Sequence, residues 1–134
     1  MTVSVGGRVL DVPALLDAAT GATEYMRALL AVMTRQGSTV AVPSAVRARA
    51  AGQLATAAEL AELDWFCAVG TVLEIPLATT DAAEVEQVAK DHFGGDTAPA
   101  HAALIARRRA WPVITTEDRA AGFRSAGAEV ELLP

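Results

Sequence analysis

An α/β fold, with a parallel sheet of about five strands flanked by helices in a three-layer arrangement, follows from three features of the sequence. Short apolar runs alternate along the chain with longer stretches whose apolar residues recur at helical spacing. Hydrophobic residues make up 52% of the 134, yet aromatics only 4%, so the core must be built from Ala, Val and Leu, which suits close packing of helices on a sheet. No repeat and no linker-like stretch divides the chain, so a single domain over residues 1–134 is expected.

The elements follow in order. Arg8 to Val12 reads as a short buried strand ended by Pro13, which suits the first turn of a helix. Helices are expected over Pro13–Ala19 and Thr23–Gln36. The second carries Met26, Leu29, Leu30 and Met33 on one stripe and stops at Gly37. Thr39–Val42 is the second strand, and Ser44 after Pro43 is placed to cap the helix that follows. Residues 45–69 are helical with a break near Gly52 or Thr56, forming a hairpin whose second half presents Leu60, Leu63, Trp65 and Phe66. Thr71–Leu77 is a third strand, put at the sheet edge by Pro76. A helix from Asp81, with Glu84 at capping-box spacing, ends at Gly94-Gly95. A helix over Thr97–Arg109, a strand at Val113–Thr115, a turn at Thr116–Asp118, a helix over Arg119–Ser125 and a strand at Val130–Leu132 complete the chain.

Net charge is −5, so the surface as a whole repels phosphate and any nucleic-acid contact has to be local. The lone Cys67, in an apolar run, excludes an internal disulfide and reads as a buried thiol. His92 and His101 have no metal-ligand spacing with each other or with Cys67. Neither a GxGxxG turn nor a GxxxxGK[ST] loop occurs, and Lys90 lies mid-helix, away from where a phosphoacceptor receiver domain needs its lysine. Met1 to Val9 has no leader pattern and no segment is long enough to span a bilayer, so a cytoplasmic protein without membrane contact is expected.

In a parallel sheet, sites lie at the C-terminal ends of the strands, which brings Asp11 and Glu117 to one rim. Carboxylates at several strand ends are the usual way to hold Mg²⁺ or Mn²⁺ for phosphodiester hydrolysis. Asp11, Asp96, Glu117 and Asp118 are the available ligands, with Asp11, Asp96 and Glu117 as the catalytic set. Asp96 and Asp118 also read as plain helix caps. Asp11 does not, because a carboxylate after an apolar strand needs a cation to meet it.

The order of elements, "VLDVPALLDA" near the start and "DTAPAHAALIARRRAWPVITTED" near the end resemble a PIN domain, the fold of VapC-type toxin ribonucleases, over nearly the whole chain. The resemblance implies an α/β fold, Mg²⁺ or Mn²⁺, RNA as substrate and an antitoxin-like protein as partner in a toxin-antitoxin pair. Residue by residue, the family's first acid falls on Asp11. The second, six residues after the proline of the second strand, falls on Arg49. The third, leading the Ala-rich helix, falls on Pro99, with Asp96 one turn earlier matching a further acid of some relatives. The last, two residues after Thr115, falls on Glu117, with Asp118 beside it. The acid cluster is thus half dismantled, and Arg49 is expected to pair with Asp11 where a metal would sit. The reading is a PIN-like domain with weakened or lost RNA cleavage that binds RNA or a protein partner, with an apolar hairpin that forms a homodimer. The alternatives are an active Mg²⁺-dependent endoribonuclease using Asp11, Asp96 and Glu117, and an interaction module without nucleic acid.

Overall fold

The structure, a computed structural model, describes residues 6–134; the reading of Met1 to Val9 falls partly outside them. Five parallel strands, β1 (Gly7–Leu10), β2 (Thr39–Pro43), β3 (Val72–Ile75), β4 (Val113–Thr115) and β5 (Val130–Leu132), form one sheet in the order β3-β2-β1-β4-β5. Parallel neighbours require crossover connections, and seven helices supply them. These are α1 (Val12–Thr20), α2 (Tyr25–Gln36), α3 (Ser44–Gln53), α4 (Ala57–Ala68), α5 (Ala82–His92), α6 (Thr97–Arg109) and α7 (Glu117–Ser125). The chain steps from β1 to β2 to β3 in one direction, then returns past β1 to β4 and β5. Right-handed crossovers therefore put the helices that lead to β2 and β3 and those that lead to β4 and β5 on opposite faces, except that α3 packs on both α1 and α6. The expected α/β architecture is borne out.

The core is made largely of small and aliphatic side chains, as the composition requires. Val9, Leu10, Val40, Ala41, Val42, Val113 and Ile114 are buried in the sheet, and every residue of α6 from Ala98 to Ala106 is buried as well. Such strands are apolar on both faces, as sheets covered twice must be. Helix α6 carries short side chains where it lies deep: Ala98, Ala100, Ala102, Ala103 and Ala106 let its backbone approach β1 and β2 closely.

Several local expectations need correction. The first strand ends at Leu10, because the Asp11 carbonyl already accepts from the amides of Ala14 (3.1 Å) and Leu15 (3.2 Å), which makes Asp11 the N-cap of α1. Ser44 does not cap α3. It is the first helical residue, and its Oγ accepts from the Leu77 amide at 3.0 Å, tying the segment after β3 to α3. Asp81 and Glu84 form no capping box, since both are drawn to Arg108 (2.9 and 2.8 Å) and a 3₁₀ turn, Thr79–Asp81, precedes α5. The break between α3 and α4 is closed by a capping box of Thr56 and Glu59. The two helices are not zipped into a hairpin: α4 packs chiefly on α1, and α3 on α1 and α6. Cys67 is half-buried rather than buried, although partial burial still pushes its thiol pKa up.

Candidate functional site

Strand order reverses between β1 and β4, and at such a point the connections leave in opposite directions and open a crevice at the strand C-termini. Asp11 follows β1 directly and Thr115 ends β4, and the two strands pair in register at Leu10 and Ile114.

Asp11 is the centre of the arrangement and is wholly buried. Thr115 Oγ1 donates to its Oδ2 at 2.7 Å. Arg119 donates from Nε to Oδ2 at 2.6 Å and from Nη2 to Oδ1 at 3.0 Å, a two-pronged guanidinium clamp. Both carboxylate oxygens are thereby engaged. The hydrogen bond to Asp11, then its charge, raise the Arg119 pKa against the opposing effect of burial, with smaller contributions from Asp96 and Asp118. Arg119 thus pairs with Asp11 and shares a cleft lining with Asp96 and Asp118.

The other acids are placed differently. Asp96 caps α6 by accepting from the Ala98 amide at 3.3 Å, as its plain reading anticipated, and is clamped by Arg49 at 3.0 and 3.2 Å. Arg49 therefore meets Asp96 and not Asp11. It projects from the middle of α3, which packs on α6, so the α6 N-terminus is the nearer acid. Glu117 and Asp118 are exposed in the first turn of α7, and Asp118 is not its cap, that place being taken by Thr116. Glu117 does share the C-terminal edge of the sheet with Asp11. Pro99 is buried and, with Phe93, Asp96, Asp118, Arg119 and Phe123, lines a cleft of about 200 Å³ beside the clamp.

A divalent ion of the kind the PIN resemblance implies needs several oxygen ligands with free lone pairs. Asp11 offers none to solvent, Asp96 is held by Arg49, and among the described residues no three Asp, Glu, His or Cys side chains stand together as a metal ion would need. The residues present do not fit a resident Mg²⁺ or Mn²⁺.

Arg119 was missed from the sequence, though a signal was there. It is the third residue of α7, and a cation in a first turn opposes the helix dipole, which favours acids at that end. An arginine so placed needs a carboxylate nearby. His101, in contrast, is buried with Nδ1 unpartnered, and burial lowers its pKa while Asp81 pulls it the other way. In the last turn of α6, Arg108 is engaged with Asp81 and Glu84, and Arg109 lies over the Trp111 ring at 5.1 Å.

With this geometry in view, the likeness to solved structures is informative. A chain in the crystal structure of VapBC2 from Rickettsia felis bound to a DNA fragment from their promoter superposes with a TM-score of 0.68, covering 94% of this chain and 98% of that one at 12% sequence identity. At that identity the likeness is one of fold. No family model matches the chain, and no curated protein matches it. No helix among the described residues is long and apolar enough to cross a membrane.

Proposed function

We propose that this chain is a PIN-like domain of the toxin-ribonuclease type whose metal-dependent cleavage of RNA is weakened or lost, and that it acts by holding a protein partner. The observation that carries this reading is the buried Asp11 clamped by Arg119, at the position where the fold's chemistry would need an open carboxylate. The fold likeness to a chain of a VapBC2 assembly supports the type, and an antitoxin-like protein is the partner it suggests.

Protein is favoured over RNA as the partner. The net charge is −5, two of the rim arginines are neutralised by Asp11 and Asp96, and Glu117 and Asp118 remain exposed beside the cleft. A phosphate backbone gains little there. Trp65 is exposed on α4 beside the open edge of β3, and an exposed indole is the side-chain type that most often anchors protein or a second copy of the chain.

The active-ribonuclease alternative requires Arg119 to leave Asp11, and Asp11, Asp96 and Glu117 to share one Mg²⁺. The two readings separate in an assay of the purified protein on unstructured RNA with 5'-label, in roughly millimolar Mn²⁺ well above typical binding constants for such sites. Background cleavage, unchanged by EDTA, is the expected result. Cleavage that EDTA and Asp11→Asn both abolish would put the active enzyme in its place.

A further inference from the structure

We infer that the Arg119 guanidinium is the resident cation of the strand-end site, doing structurally what a divalent ion does in a metal-bearing relative of this fold. This rests on the non-cleaving reading but makes a different claim: Asp11 is a structural anchor whose charge is compensated from within the chain.

The argument begins with cost. A buried, ionised carboxylate is unfavourable unless it is paired and its lone pairs are filled. Asp11 is wholly buried, and its oxygens receive three donors, one hydroxyl and two guanidinium N–H groups, at 2.6–3.0 Å. Those donors come from the end of β4 and the first turn of α7, while Asp11 itself joins β1 to α1. The node therefore ties four elements at the point where the sheet connections diverge. Arg119 has no favourable reason to stand in the first turn of α7 except this contact, because the helix dipole opposes it. It also lines one cleft with Asp96 and Asp118, so it lies among the acids that would otherwise gather a metal. Arg49 acts in the same way at Asp96, where two guanidinium nitrogens approach the carboxylate at 3.0 and 3.2 Å. Two of the four acids that could serve a metal, Asp11 and Asp96, are thus answered by arginines supplied by the chain.

The test compares wild type, Asp11→Asn, Arg119→Gln and the double variant by thermal unfolding in EDTA and in Mn²⁺, with Mn²⁺-induced broadening of backbone amide signals as an independent readout. Wild-type Tm is expected to be the same in EDTA and Mn²⁺, with no selective broadening at residues 11, 96 and 117–119. Asp11→Asn should lower Tm by roughly 5–10 °C. The double variant should be more stable than the two single losses added together predict, because neither charge is left alone. Arg119→Gln should acquire a Tm that rises with Mn²⁺, since Asp11 then lacks its cation. If that variant fails to fold, the wild-type titration still decides. Selective broadening of the wild-type site with a micromolar Kd, or single losses that simply add in the double variant, would overturn the inference. Mn²⁺ binding without RNA cleavage would overturn it while leaving the non-cleaving reading intact, whereas metal-dependent cleavage would remove both.

Discussion

At the scale of single residues, the chain's polar groups matter in proportion to how deeply they are buried and how fully they are matched. Thr115 is wholly buried and its hydroxyl donates to Asp11 at 2.7 Å. Thr115→Val keeps the shape and removes the donor, so it should cost about 1–3 kcal/mol, read as a lower urea midpoint at unchanged m-value. His101 makes a second case. Burial lowers its pKa in the folded state, so the unfolded chain binds the proton more tightly. The resulting stability is present above the unfolded pKa of about 6.5 and is lost as pH falls from there through the folded value. Tm should therefore drop between pH 7 and pH 5, and His101→Leu should flatten that part of the profile; an unchanged slope in the variant would assign it to other groups. Asp11 was legible as a residue in need of a cation, because an acid after an apolar strand is costly. The identity of the cation was not, since spacing from Pro43 pointed to Arg49, while the cation that meets Asp11 is brought back by the first turn of a helix far along the chain.

Among elements, α6 and its exit show what pattern reading resolves and what it leaves out. Its bounds, Thr97–Arg109, and those of β4 and β5 are the ones expected from the sequence, because an Ala-rich run followed by a short apolar run leaves little choice. Helix starts were less legible where a polar side chain had a distant partner: Ser44 is engaged by Leu77 and Asp81 by Arg108, contacts that no local window contains. The C-terminal cap of α6 is Ala110 at φ +54°, a left-handed conformation that disfavours a Cβ. Ala110→Gly should stabilise the protein by roughly 0.5–1 kcal/mol, with the measured Tm rising accordingly. The packing of α7 on α5 supplies the opposite case. A Cβ on Gly122 would stand 2.7 Å from the Phe93 ring, which itself packs edge-on to Phe123 with centroids 4.9 Å apart. Gly122→Ala should displace Phe93 and cost about 1–3 kcal/mol, the range for overpacking, and a neutral result in chemical unfolding would mean that the ring has room to turn.

For the molecule as a whole, the question is what an α/β domain with a self-neutralised strand-end site offers to others. The C-terminal rim offers two ion pairs and exposed acids, whereas the opposite end of the strand order offers apolar surface. Strand β3 pairs only with β2, so its outer backbone groups are open, and Trp65 of the adjoining α4 is exposed, whereas Leu73 points to the other face of the sheet, because its neighbour Glu74 is turned towards Arg47 and α4. Trp65 is 59% exposed, and a large aromatic in that position is the residue type that most often dominates a protein interface. Arg47 is held by Asp64 of α4 and Glu74 of β3 at 2.9 and 2.7 Å, so the charge next to Trp65 in α4 is compensated. An exposed indole on α4 beside an open strand edge favours self-association or a helical partner segment laid along α4. Light scattering after size exclusion at high micromolar concentration should show a dimer, and Trp65→Glu should weaken association by at least about tenfold, which corresponds to about 1.4 kcal/mol. Because Trp65 contributes little to the core, the variant should keep its wild-type Tm when measured at a concentration where both proteins are monomeric. A wild type that stays monomeric throughout would remove the second copy as occupant, and a Tm lowered in the monomeric variant would show that the indole supports the fold instead of a partner.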